Sequence, residues 1–160
     1  MKNEKIINLH IIEDNALYAA ALKQFLESNL ENFNYAVSIT LFKTSEGCIE
    51  ALNRRKIKPD IIILDYFLNS QFNDAMNGLN ALFHLKVFNS EVEVIFLSGQ
   101  DKMEITVESL RTGAFDYIVK DEFAFQNVLS SVQECLPEIK LRNKNHILAE
   151  KKSASLYFNN

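Results

Sequence analysis

The chain has 160 residues, 48% of them hydrophobic and 24% charged, with a net charge of −4. That length and mix suit one globular domain with a core of its own, and the acidic balance argues against direct nucleic-acid binding as its task. No stretch approaches the ~20 apolar residues of a membrane span, Asn8 and His10 break the short N-terminal apolar run, and Cys48 and Cys135 form no CxxC pair, which together read as a cytoplasmic protein with reduced core cysteines.

In chain order, the hydrophobic periodicity switches repeatedly between strand and helix. Short apolar or β-branched runs predict strands over residues 6–12, 36–42, 60–64, 92–97 and 115–119. Longer amphipathic stretches predict helices over 16–30, 45–55, 79–88, 102–112 and 122–135. Five strand–helix pairs in strict alternation imply βαβ crossovers and a mostly parallel sheet. The runs Ile61-Ile62-Ile63-Leu64 and Val94-Ile95-Phe96-Leu97 lack alternation, as strands covered on both faces do. Thr44 and Asp121 are suited to cap the second and fifth helices, and Gly113 stands where the fourth should end. Pro137 is expected to interrupt the fifth helix after Leu136 or to begin a new one. The chain therefore divides into a main domain over 1–136 and a basic helical extension or tail over 137–160. Lys140, Arg142, Lys144, Lys151 and Lys152 carry the tail's charge, and its end is expected to fray from 153 onward.

In an open parallel sheet, ligands bind beyond the carboxyl ends of the strands. The predicted topology brings Glu13 and Asp14, Asp65, Ser98 and Lys120 to that rim from four different strands. Three crowded carboxylates repel one another and some would take up protons unless a cation is present. A hard divalent ion resolves this. Mg²⁺ favours oxygen ligands and commonly uses one or two carboxylates plus a phosphate oxygen. The set lacks the thiolates and imidazoles that zinc favours. His10 reads as a core histidine and His84 as a helix-face residue. Singly, each feature has a plainer reading: Glu13-Asp14 as a cap with exposed charges, Lys120 as a solvated side chain, Tyr117 as core packing, Asp116 as a surface group. Explaining all the rim residues that way requires several coincidences at one place.

The segments IIEDN, LDYFL, MNGLNAL, FLSGQ and GAFDYIVKD resemble, in order and in placement, the signature segments of response-regulator receiver domains of two-component signalling. The resemblance covers about residues 6–136. It implies a doubly wound α/β fold, a (βα)5 three-layer sandwich whose parallel five-stranded sheet has the flavodoxin-like order 2-1-3-4-5. It implies Asp65 as phosphoacceptor, with Mg²⁺ held by Glu13, Asp14, Asp65 and the backbone carbonyl of Phe67. Ser98 and Lys120 match the phosphoryl-binding pair, and Tyr117 matches the aromatic switch residue. The implied donor is a histidine kinase or a histidine phosphotransfer protein. The implied output is a protein-interaction surface read by a downstream effector or a second copy. No enzymatic activity is implied beyond self-phosphorylation and autodephosphorylation. The competing reading keeps the fold as a degenerate, phosphorylation-independent binding module. A phosphatase or nucleotide enzyme finds no support, since no GxGxxG, GxxxxGK[ST] or DxD follows a strand.

Three positions depart from the family pattern. Residues 69–77 form an insertion beside Asp65, readable as a lid or donor-recognition loop or as a neutral bulge. Asp121 follows Lys120 where proline is usual, so the bond between them is expected to be trans. Phe67 and Gln100 occupy the variable positions that flank an attacking water, and a bulky Phe67 is expected to shield an acyl phosphate from hydrolysis.

Overall fold

The computed structural model describes residues 6–32, 36–54, 58–68, 77–100 and 102–158. In these, β1 (Ile7–Ile12), β2 (Val37–Phe42), β3 (Ile61–Asp65), β4 (Glu93–Ser98) and β5 (Asp116–Val119) alternate with α1 (Ala16–Glu31), α2 (Ser45–Arg54), α3 (Gly78–Phe88), α4 (Met103–Thr112) and α5 (Ala124–Phe158). All strand pairs are parallel, in the order β2-β1-β3-β4-β5, as expected. Most of the insertion, residues 69–76, lies outside the described residues.

Strand alternation divides the core between two faces. Leu9, Ile11, Ile61, Ile63, Ile95 and Leu97 meet Leu22 and Leu26 of α1 and Val128 and Val132 of α5. Ile12, Ile62, Leu64, Val94 and Phe96 meet Cys48 and Leu52 of α2 and Ala81, Leu82 and Leu85 of α3, with Ile105 of α4 alongside. Sealing both faces accounts for the continuous apolar runs of β3 and β4, each of whose inner side chains is worth ~1.5–3 kcal/mol when removed from water. Cys48 and Cys135 are free and buried within these two layers, and His10 is buried with Nδ1 3.7 Å from the Cys48 sulfur.

Local signals set the element ends. Thr44 Oγ1 accepts the Gly47 N–H at 3.1 Å, and Asp121 Oδ1 accepts the Phe123 N–H at 2.9 Å on entry to α5. Gly113 ends α4 with φ 104°, a left-handed conformation that suits glycine. Gly78 is required by close approach, since a Cβ there would come within 2.7 Å of the Tyr66 Cα. Two caps were not anticipated: Asn15 accepts from Leu17 and Tyr18 N–H groups at the start of α1, and Asn77 accepts from Asn80 at the start of α3.

The expectation at Pro137 is corrected. The proline neither ends α5 nor starts another helix, and the same helix continues to Phe158, through the residues expected to fray. An interior proline costs about 3 kcal/mol by removing a hydrogen bond and crowding the preceding turn. Pro137 is on the exposed side, while Leu136 and Ile139 are fully buried on the other. One turn further, Arg142 donates to the Glu91 carbonyl at 2.6 Å and lies 3.4 Å from the Glu93 carboxylate. Burial and anchoring on both sides of the proline outweigh its local cost. Asp116 is also more than a surface group: it is partly buried, its carboxylate accepts the Tyr117 N–H at 2.8 Å, and it bonds the hydroxyl of buried Ser131 on α5.

Candidate phosphoryl-acceptor site

Strand register assembles the site. Ile12 pairs with Leu64, so the next residues, Glu13 and Asp65, leave neighbouring strands side by side. Asp65 pairs with Leu97 and Ser98 with Val119, which puts Ser98 and Lys120 on the same rim. One carboxylate oxygen from each of Glu13, Asp14 and Asp65 lies within 4.8 Å of the other two. Glu13 and Asp65 are buried, at 2% and 3% exposure, whereas Asp14 is exposed.

Lys120 joins the two buried acids. Its ammonium is 2.6 Å from Glu13 Oε2 and 2.9 Å from Asp65 Oδ2. The Lys120–Asp121 bond is trans, as expected, and the side chain still reaches both carboxylates. The remaining oxygens have backbone donors: Asn15 N–H to Glu13 Oε1 at 3.0 Å and Phe67 N–H to Asp65 Oδ1 at 3.2 Å. Burial pushes the Glu13 carboxyl above its ordinary value; the Lys120 hydrogen bond opposes this, and the Asp65 charge adds to it. Burial alone would pull Lys120 down, but its bonds to Glu13 and Asp65 outweigh that and hold it above its ordinary value.

Lys120 is the ammonium that the two buried acids share, and Asp14 adds a third carboxylate at the rim. An all-oxygen cluster of three carboxylates fits a hard divalent cation such as Mg²⁺ and offers no nitrogen or sulfur ligand.

Ser98 and Tyr117 form a second, linked group. Ser98 Oγ is fully buried, donates to the Gln100 carbonyl at 3.1 Å and accepts the Gln100 N–H at 3.2 Å. The Tyr117 hydroxyl donates to that same carbonyl at 2.6 Å, and its ring stacks on Phe96 at 5.9 Å. The two predicted switch residues thus share one acceptor, a role for the Gln100 backbone that nothing in the sequence signals. Phe67 is 45% exposed and packs edge-on against Tyr66 at 4.7 Å. Tyr18 was also missed: the Lys120 ammonium lies 4.7 Å from the centre of its ring. Its position one turn into α1 beyond the acidic pair hints at nearness to the rim, but no sequence spacing announces its meeting with Lys120.

Comparison with known proteins agrees with this geometry. The sequence profile of the family described as response regulator receiver domain matches residues 9–133. The chain is 28% identical over 110 residues to the regulatory protein LuxO of Vibrio cholerae, which covers 69% of this chain and 21% of that protein. It is 31% identical over 127 residues to the transcriptional regulatory protein MalR of Bacillus subtilis, covering 78% of this chain and 49% of that protein. The chain thus spans from about a fifth to about half of these curated relatives. Among solved structures, the CheY-like response regulator receiver domain protein of Methanospirillum hungatei superposes with a TM-score of 0.68 at 22% identity, covering 86% of this chain and 99% of that one. NtrX of Brucella abortus gives 0.69 at 21% identity, covering 91% of this chain and 30% of that one. The chain belongs to the response regulator receiver domain family.

Proposed function

We propose that this receiver domain is a working phosphoacceptor, which takes a phosphoryl group from the phosphohistidine of a histidine kinase or phosphotransfer protein onto Asp65. The observation that carries the reading is the buried Glu13–Lys120–Asp65 cluster with Asp14 at its side. A domain retained only for binding has no need of two buried acids sharing one cation, an arrangement that gives little net stability.

In the transfer, the donor N–P bond breaks as an O–P bond forms at the Asp65 carboxylate, and the imidazole leaves neutral when its other nitrogen carries a proton. Such reactions depend on positioning and charge neutralisation more than on covalent help. Mg²⁺, held by Glu13, Asp14, Asp65 and the Phe67 carbonyl, supplies that neutralisation when bound. Lys120 already touches Asp65 and is placed to follow the charge onto the phosphoryl oxygens. The new group itself carries roughly 1.5–2 negative charges, as on other phosphorylated side chains, in place of the single charge that the Asp65 carboxylate gives up.

Those oxygens compete for the Ser98 hydroxyl. Once Ser98 turns its proton toward the phosphoryl group, the Gln100 carbonyl loses one of its two hydroxyl donors, and Tyr117, which bonds that carbonyl and stacks on Phe96 beforehand, rotates further inward into the space Ser98 leaves. The result is a shift between two packings of the surface around α4, β5 and α5, read by an effector protein or a second copy. Residues 1–136 form the switching unit in this reading, and 137–160 form an extension through which a change in α5 is passed on. The only chemistry is the domain's own phosphorylation and dephosphorylation. Among the described residues no helix is long and apolar enough to cross a membrane, and we place the protein in the cytoplasm with its donor.

The test is treatment with acetyl phosphate and Mg²⁺, read by intact mass. One phosphoryl adduct is expected on the wild type and none on Asp65→Asn. An unmodified wild type supports the phosphorylation-independent module instead.

A further inference from the structure

Lys120 carries three N–H groups on a flexible four-carbon stem. Its carboxylate contacts, at 2.6 and 2.9 Å, engage two of them. The face of the Tyr18 ring meets the same nitrogen, 4.7 Å from the ring centre and within the range of a cation–π contact. The ring is itself fixed. It packs edge-on against Phe125 of α5 at 5.2 Å, and Phe125 leans on Phe25 of α1 at 5.6 Å. The Tyr18 hydroxyl is buried and has no hydrogen-bond partner among the described residues. An unpaired buried hydroxyl is a cost, so the hydroxyl does not explain the residue, whereas the ring does.

We propose that Tyr18 is a positioning residue for Lys120, an aromatic wall that holds the ammonium over the Glu13–Asp65 pair and keeps it inside the site when Asp65 becomes phosphorylated. The stem leaves Lys120 free to swing outward, and its side chain is 19% exposed. When Asp65 gains its phosphoryl group, the ammonium must release a carboxylate oxygen and take a phosphoryl oxygen in its place. Without a wall behind it, part of the population turns to solvent at that step. The ring attracts the cation without competing for its N–H bonds to anions. The Tyr18 hydroxyl hydrogen-bonds none of the three carboxylates, so the contact through which Tyr18 bears on the site is its ring face against Lys120.

The proposal rests on the phosphoacceptor reading, and its test separates the two. Phosphorylation rates with saturating acetyl phosphate and Mg²⁺ are compared for wild type, Tyr18→Leu and Tyr18→Phe, with Mg²⁺ affinity measured separately by titration. Tyr18→Leu is expected to slow phosphorylation about five-fold, the size of a partly desolvated cation–π contact. Its Mg²⁺ affinity stays at the wild-type value because no metal ligand is altered. Tyr18→Phe keeps the ring face and recovers the rate. In a Lys120→Met background, Tyr18→Leu lowers the residual rate no further. Equal rates for wild type and Tyr18→Leu, or a Tyr18→Phe variant as slow as Tyr18→Leu, overturn the proposal alone. A wild type that accepts no phosphoryl group overturns the phosphoacceptor reading and this proposal with it.

Discussion

Replacing Lys120 by methionine keeps much of the side-chain stem and removes the charge that two buried acids share. Breaking a buried ion cluster by deleting one partner costs about 3–5 kcal/mol, because the charge left behind has neither water nor counter-ion. Glu13 has an escape, since it can take up a proton. From an ordinary value of 4.5, keeping a buried carboxyl neutral costs about 3 kcal/mol at pH 7 relative to an unfolded, ionised chain. At pH 5 it costs less than about 1 kcal/mol. Lys120→Met is therefore expected to lose about 3 kcal/mol at pH 7, roughly 10 °C in Tm for a chain of this size. Most of the loss should disappear by pH 5. Lys120 itself is held above its ordinary value of 10.5, so its contribution is fully present below that pH and is lost only as pH climbs through the folded value. The convergence at pH 5 thus belongs to the acids. Millimolar Mg²⁺ should restore part of the stability at pH 7 by replacing the missing positive charge. Circular-dichroism melts at both pH values, with and without Mg²⁺, decide the matter. A Tm within about 2 °C of wild type at pH 7, or an equal deficit at pH 5, refutes the view that Lys120 is the counter-charge of a buried acid pair.

Other expectations concern single groups. Asp14→Asn should fold as the wild type does, because Asp14 is exposed, yet lose the rise in Tm that Mg²⁺ gives the wild type; an undiminished rise removes Asp14 from the metal site. Phe67, 45% exposed beside Asp65, should shield the acyl phosphate, so Phe67→Ala is expected to shorten the phosphoryl half-life, and an unchanged or longer half-life contradicts the shielding. Burial pushes the thiols of Cys48 and Cys135 up to about 12, from an ordinary 9.0. The unfolded chain therefore loses these protons first, and stability should fall as pH rises from 9.0 toward 12. Both thiols should also resist iodoacetamide at pH 8 until denaturant is added, and rapid labelling of the native protein would count against their burial.

Much of this architecture is written locally. The five strands and the first four helices fall within a residue or two of their expected places, because periods of 2 and 3.6 are properties of a single segment. The cap at Thr44 and the glycine stop at Gly113 are equally local. Pro137 shows the limit of that reasoning: its helix-breaking tendency is genuine, but Leu136, Ile139 and Arg142 are held by partners distant in sequence. Asp116 appeared superficial for the same reason, since Ser131 meets it only after α5 packs back onto the sheet.

The sequence by itself determined the alternation of elements, the parallel sheet and the set of residues at its carboxyl rim, since each strand's last residue names what it delivers there. Tertiary structure alone decided how those residues pair. Lys120 divides itself between Glu13 and Asp65, Tyr18 closes behind it, and Ser98 and Tyr117 meet at one carbonyl. Such contacts depend on strand register and on side chains that cross between elements, and charge or aromaticity along the chain carries no record of distance in space.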